Sequence, residues 1–185
     1  MNKKLYIKIL YIFILLQFTI SHSFAEQKSF NSKIAVVDVE SILEHSLAIH
    51  HIKKTILKIS DQIQQDFTEK EIELKSIEHD LIKRKNSINE QEFNLEVTEF
   101  NKKVSNVQQQ MQYKKINLEQ SHAKAMSIVH NKTIDIIGKL LTKYGFDIAL
   151  PSTQVLFVKN DLNITLEVIS ELNQILPEVD VKYSE

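Results

Sequence analysis

Apolar residues recur at steps of three, four and seven along the long central stretch of this chain. They fall at Ile49, Ile56, Ile63, Phe67, Leu74, Ile77 and Leu81, and again at Phe93, Val97, Phe100, Val104, Val107, Met111, Leu118, Ala125 and Ile128. This is the spacing of a coiled-coil seam. Folded antiparallel, the two sets match layer by layer. Ile49 faces Ala125, Ile56 faces Leu118, Ile63 faces Met111, and Phe67 faces Val107. Leu74 then faces Phe100, Ile77 faces Val97, and Leu81 faces Phe93. The fold-back centres on Ser87, inside Asn86-Ser87-Ile88-Asn89. Ser and Asn favour turns because their side chains compete for nearby backbone groups. A slip of one step moves the turn toward Glu90, so the reversal is predicted near residues 86–90. The competing arrangement is one continuous helix in a parallel oligomer. Each arm has roughly 35 to 40 residues, or about 50–60 Å. Ser46, Lys53, Ser60, Lys70, Lys114 and Ser121 interrupt the seam, which predicts a flexible hairpin.

The flanks read differently. Lys33 to Val39 is a β-branched run and predicts a strand. Ser41 with Glu44 three residues on has the capping-box pattern and predicts a helix start. Beyond Ile128 the apolar pattern broadens through Val129, Ile134, Ile136, Ile137, Leu140, Leu141 and Tyr144, so this end of the helix enters a core. Gly145 stands where a helix C-cap belongs. Phe146–Leu150 and Val155–Val158 predict strands on either side of a turn at Pro151–Gln154. Thr165 reads as the N-cap, with Glu167 in the first turn, of a helix through Ile175. Pro177 ends it, and 178–185 reads as a loose tail. The fold class is α+β. A small β-body from residues 26–45 and 129–185 carries a helical-hairpin tentacle over 46–128.

Composition sharpens this. The chain has two glycines and two prolines, all from Gly138 onward, so nothing punctuates the long helices. It begins with Lys3, Lys4 and Lys8, then an apolar run Ile9–Ile20, then Ser23-Phe24-Ala25. That is the layout of a secretory signal cleaved after Ala25, covering residues 1–25. The run is short for a membrane anchor, which needs about 20 residues. There is no cysteine, so an exported chain must rely on its core and on oligomerisation. Lys53 to Lys132 holds 14 basic and 12 acidic residues, a net of +2. The rest of the mature chain holds 6 and 12, a net of −6. Neither half has a nucleic-acid footprint.

Strand, long hairpin, Tyr144-Gly-Phe-Asp-Ile-Ala-Leu-Pro151, Val155-Leu-Phe-Val158 and Asn163-Ile-Thr165 follow one another in an order that resembles the Skp (OmpH-like) periplasmic chaperone family. Lys33-Ile-Ala-Val-Val-Asp-Val39 also matches, and the likeness covers almost all of the mature chain. The resemblance implies a homotrimer in which each subunit gives its strands to a shared β-body. It implies a periplasmic, ATP-independent holdase whose three tentacles enclose unfolded outer-membrane β-barrel proteins, with transient contact to a membrane surface and no cofactor. The oligomerisation residues would be Ile34, Val36, Phe146, Ile148, Leu150, Val155 and Phe157.

Well-known members are strongly basic, whereas these arms carry only a small excess. Its local patches are Lys83, Arg84 and Lys85 near the tip, Lys102 with Lys103, and Lys114 with Lys115. With Tyr113, which falls off the seam, these are the candidate client-binding residues. Phe67, Phe93, Phe100 and Met111 lie on the seam and face the partner arm. His45, His50 and His51 cluster near Glu44 but read as solvated surface histidines, with no metal site. No nucleophile motif or phosphate loop is present, so no enzyme is read here. The alternative to a holdase is an exported structural coiled coil, acting as an envelope spacer or adaptor.

Overall fold

The computed structural model describes residues 32–184. The signal segment at 1–25 lies outside the described residues. The chain runs β1 (Ile34–Val37), α1 (Val39–His45), α2 (Leu47–Arg84), α3 (Glu90–Tyr144), β2 (Ile148–Pro151) and α4 (Thr165–Ile175). Single 3-10 turns at Ser152–Gln154 and Asn160–Leu162 link β2 to α4.

α2 and α3 form the hairpin, with 38 and 55 residues. α2 ends with Lys83 and Arg84 in its last turn, where cations suit the helix dipole. Asn89 caps α3 by accepting from the Glu92 N–H at 2.8 Å. Glu90 and Glu92 add acidic charge at that same N-terminus. At the far end Gly145 takes φ 68°, and its N–H closes on the Leu141 carbonyl. That left-handed cap is open to glycine without steric cost.

β1 and β2 pair in parallel, with Ile34 opposite Ile148 and Val37 opposite Pro151. Parallel neighbours need a long crossover, and here the whole hairpin serves as one. Lys33 and Asp147 tie the open end. The Lys33 N–H donates to the Asp147 carboxylate and the Asp147 N–H to the Lys33 carbonyl, each at 2.8 Å.

Four local expectations are corrected. The first helix starts at Val39, not at Ser41. Asp38 is its cap and accepts from the Ser41 N–H at 3.1 Å, so Ser41 is already inside the first turn. The helix then breaks at Ser46, without glycine or proline. Ser46 is fully buried and caps α2. Asn173 of α4 secures both sides of the break: its Oδ1 accepts from the Leu47 N–H at 2.8 Å, and its Nδ2 donates to the His45 carbonyl at 3.2 Å. Val155–Val158 forms no strand. Leu156 and Phe157 project into solvent, and β1 instead gains one bridge from Val36 to Asn163. Thr165 is the first helical residue of α4, not its cap. Asn163 Oδ1 accepts from both the Thr165 N–H and the Thr165 hydroxyl, and that hydroxyl accepts from the Asp38 N–H.

The core sits where the hairpin meets the body. Ile49 and Ile52 of α2, Ala125, Val129, Ile136 and Leu140 of α3, and Val168 and Leu172 of α4 are buried there with Ala35, Val37 and Ile42. Along the arms only Ile63 and Leu81 of α2 reach comparable burial. Stability should follow this gradient. Ile52→Ala empties a sealed site and is expected to cost about 2–5 kcal/mol in chemical unfolding at fixed protein concentration. Phe67→Ala, at a half-exposed arm position, should cost clearly less. Equal losses would show that the seam carries as much stability as the root.

Candidate functional site

The arms are the part of this molecule with surface to spare. The sequence-matched seam residues Phe67, Leu74, Ile77, Phe93, Val97, Phe100, Val107 and Met111 are only half-buried. Ile63, Phe67, Val107 and Met111 share a cavity of about 20 Å³ between the arms. That is room for roughly one water molecule. Side chains at this density are loosely held, because each missing neighbour removes dispersion contacts.

Polar pairs close the gaps. Lys70 donates to Gln110 at 2.7 Å, and Lys114 meets Asp66 at 2.8 Å. Arg84 reaches Asp80 at 2.9 Å on its own helix and grips both oxygens of Glu96 on α3. The three cross-arm pairs join positions about six residues further along α3 than the apolar layers do. Each long side chain leans toward the N-terminus of its own helix, and in an antiparallel pair the two leans add. The hydrogen bond from Lys114, then its charge, holds the Asp66 carboxyl below its ordinary range. The hydrogen bond to Glu96 raises Arg84 further above its already high value.

These contacts divide the candidate client-binding residues. Arg84 and Lys114 are engaged within the hairpin, so their first task is to hold the arms together. Lys83, Lys85, Lys102, Lys103 and Lys115 are exposed, and Tyr113 is 60% exposed.

Several apolar residues are exposed against expectation: Leu95 and Ile116 lie off the heptad layers, whereas Ile128 was expected on the seam and Ile134 in the core. On α3, Leu95, Ile116, Ile128 and Ile134 are exposed with Tyr113. At 100° per residue these five positions fall within a stripe about 120° wide, on the side of the helix away from the seam. On α2, Leu57, Ile72 and Ile82 are each more than 60% exposed and also share one side of their helix. For Leu57, Ile72, Ile82, Leu95 and Ile116 the signal was present in the sequence, as large apolar residues that no heptad layer uses.

The body has its own exposed apolar patch. Ile34 and Ile148, partners across the sheet, are both more than a third exposed, and Phe157 is 84% exposed. Phe146, Leu150 and Val155 are half-buried. Val36 is the exception among the named oligomerisation residues. It is 3% exposed within its own chain, and its carbonyl accepts from the Ile164 N–H at 3.1 Å. Val36 therefore holds the subunit itself.

His45 and His50 are exposed, but His51 is not a solvated histidine. It is half-buried, and its Nδ1 donates to the Val179 carbonyl at 3.1 Å. The C-terminal segment is therefore docked rather than loose. Val179 belongs to the core and Val181 packs against it.

Comparison with known proteins agrees with this architecture. A family model described as outer membrane protein (OmpH-like) matches residues 33–172. No curated protein matches the sequence. Among solved structures, the chain is similar to a protein of Caulobacter crescentus described, provisionally, as an outer membrane chaperone (OmpH-like). The TM-score is 0.77 at 16% identity, over 83% of this chain and 91% of that one.

The Asp66–Lys114 pair gives a pH test. A carboxyl depressed by its partner stabilises the fold above its ordinary titration range, and that contribution is lost as pH falls through the lowered value. Asp66→Asn should therefore destabilise the arms near neutral pH. The gap to the parent protein should close on acidification, as followed by chemical unfolding across pH. A gap that stays constant with pH would rule out the charge as its cause.

Proposed function

The chain belongs to the OmpH-like family, and from that premise we propose that it is an ATP-independent periplasmic holdase for unfolded outer-membrane proteins. The observation that carries this reading is the stripe of large apolar side chains on each arm, facing away from the seam. A coiled-coil spacer has no use for Leu57, Ile72, Leu95 or Tyr113 in solvent. Repeated along one side of each arm, these side chains offer separate apolar contacts spaced along the length of an extended client. Clients differ in sequence and must leave unfolded but competent, so each contact is weak and many are made. Loosely packed arms can re-pack around different segments, as promiscuous binding surfaces do.

The near balance of charge on the arms gives them contacts for clients of either sign. Exposed Lys83, Lys85, Lys102, Lys103 and Lys115 supply the small positive excess. Apolar contact then carries most of the affinity, and salt acts as a modest modifier.

We further propose that the working unit is a trimer. A two-stranded sheet with exposed edges is marginal alone, and pooling edges between subunits removes them. The exposed pair Ile34 and Ile148, with Phe157, would lie in the shared body.

Two measurements test these proposals. Binding of an unfolded β-barrel protein should change only a few-fold between low and physiological salt. Leu95→Ser with Tyr113→Ser should weaken it more than that. Collapse by orders of magnitude in salt would make electrostatics the main force, and no binding at any salt would remove the holdase reading. In sedimentation equilibrium the mature chain should run as a trimer, and Phe157→Asp should dissociate it with helicity intact. Val36→Asp should instead unfold the subunit, because an unpaired charge at a sealed site costs several kcal/mol.

A further inference from the structure

The residues after α4 run as a strap along the roots of both arms, with one tight turn where the Tyr183 N–H donates to the Val181 carbonyl at 2.9 Å. Burial alternates along it: Val179 is buried, Val181 and Tyr183 are half-buried, and Asp180, Lys182 and Ser184 are exposed. That is the period-two pattern of an extended strand with one face against a surface.

The hairpin holds this strap by its backbone. His51 on α2 donates to the Val179 carbonyl at 3.1 Å. On α3, Ser121 donates to the Lys182 carbonyl at 2.8 Å, and Asn117 donates to the Ser184 carbonyl at 3.3 Å. Since α3 runs from tip to body, the order Ser121 then Asn117 means that the strap climbs toward the tip. Main-chain bonds of this kind give affinity without reading sequence, and alternate side-chain pockets add only an apolar requirement. Ser121 is one of the polar interruptions of the seam and is buried, and the bond to the strap satisfies it. The family match ends at residue 172, so the strap lies beyond the matched region.

We propose that this groove is a binding site for an extended polypeptide of alternating apolar and polar residues, and that residues 179–184 are its resident, displaceable occupant. Strands of outer-membrane β-barrels alternate in this way. The strap therefore mimics a client strand and competes with it at the arm roots. This deepens the holdase reading and rests on it for the identity of the competitor. While the strap is docked, apparent client affinity falls by the fraction of molecules whose groove is free.

A spin label on Lys182→Cys of the full chain, which has no other cysteine, tests displacement. With saturating unfolded β-barrel client the label should become more mobile, because the strap leaves the arms. Unchanged or lower mobility with client bound would overturn the proposal. In the full chain carrying Val179→Asp and Val181→Asp, the strap is ejected, and client binding should tighten roughly fivefold. Unchanged or weaker binding by this variant, with its helicity retained, would count against competition. A second arm needs no client. A labelled synthetic peptide of the sequence 178–185 should bind this variant and bind the parent protein more weakly. A peptide of the same composition with its apolar residues adjacent should not bind. Failure of the native peptide to bind the variant overturns the site. Peptide binding with no client binding at all would uphold the groove and remove the holdase reading.

Discussion

Burial at the root of the hairpin is the constraint on which everything else in this molecule depends. Ile49, Ile52, Ala125, Val129, Ile136, Leu140, Val168 and Leu172 close on one another there, with the sheet and α1 against them. Two helices standing alone would bury little surface, and long helices gain most of their stability from packing an apolar face. The root provides that packing for the first turns of each arm. Beyond it the arms extend on propensity, a half-filled seam and a few polar pairs. The parallel pairing of β1 with β2 is also set here, because the hairpin that links them leaves and returns through the same core.

The gradient from sealed root to loose arm gives the two ends different work. A sealed core keeps the subunit in one arrangement. A seam with half-exposed aromatic residues and a water-sized void admits more than one packing at low cost. Arg84 with Asp80 and Glu96, and Lys114 with Asp66, resist wholesale opening without filling the seam. The exposed stripes on the backs of the helices then have a movable frame. That combination suits a surface that must meet many unrelated segments and release them.

The strap and the break at Ser46 show how the root is finished. Both rely on backbone groups met by side chains from distant parts of the chain. Asn173 meets the ends of α1 and α2, while His51, Ser121 and Asn117 meet the strap. Ser46, Ser121 and Thr165, buried near the root, thus each meet a backbone group. This is why Ser46 and Ser121, which look like defects in the heptad pattern, are compatible with a tight core.

The features legible in the sequence were those that short-range chemistry decides. The heptad spacing made two long helices, and the Asn and Ser cluster at 86–89 marked their reversal. Gly145 alone could take the left-handed cap, and Tyr113 stood off the seam because no layer used it. These depend on neighbours within a turn or two, so the pattern contains them. The remainder depended on partners far along the chain. Nothing near Ser46 announces a helix break, since the groups that stabilise it belong to Asn173. Nothing in Val155–Val158 says that it will leave the sheet, since β1 takes its bridge from Asn163 instead. Residues 178–184 lack any local reason for order and are held by α2 and α3. Periodicity records which face of a helix is apolar, but only the folded chain decides which distant backbone groups that face will meet.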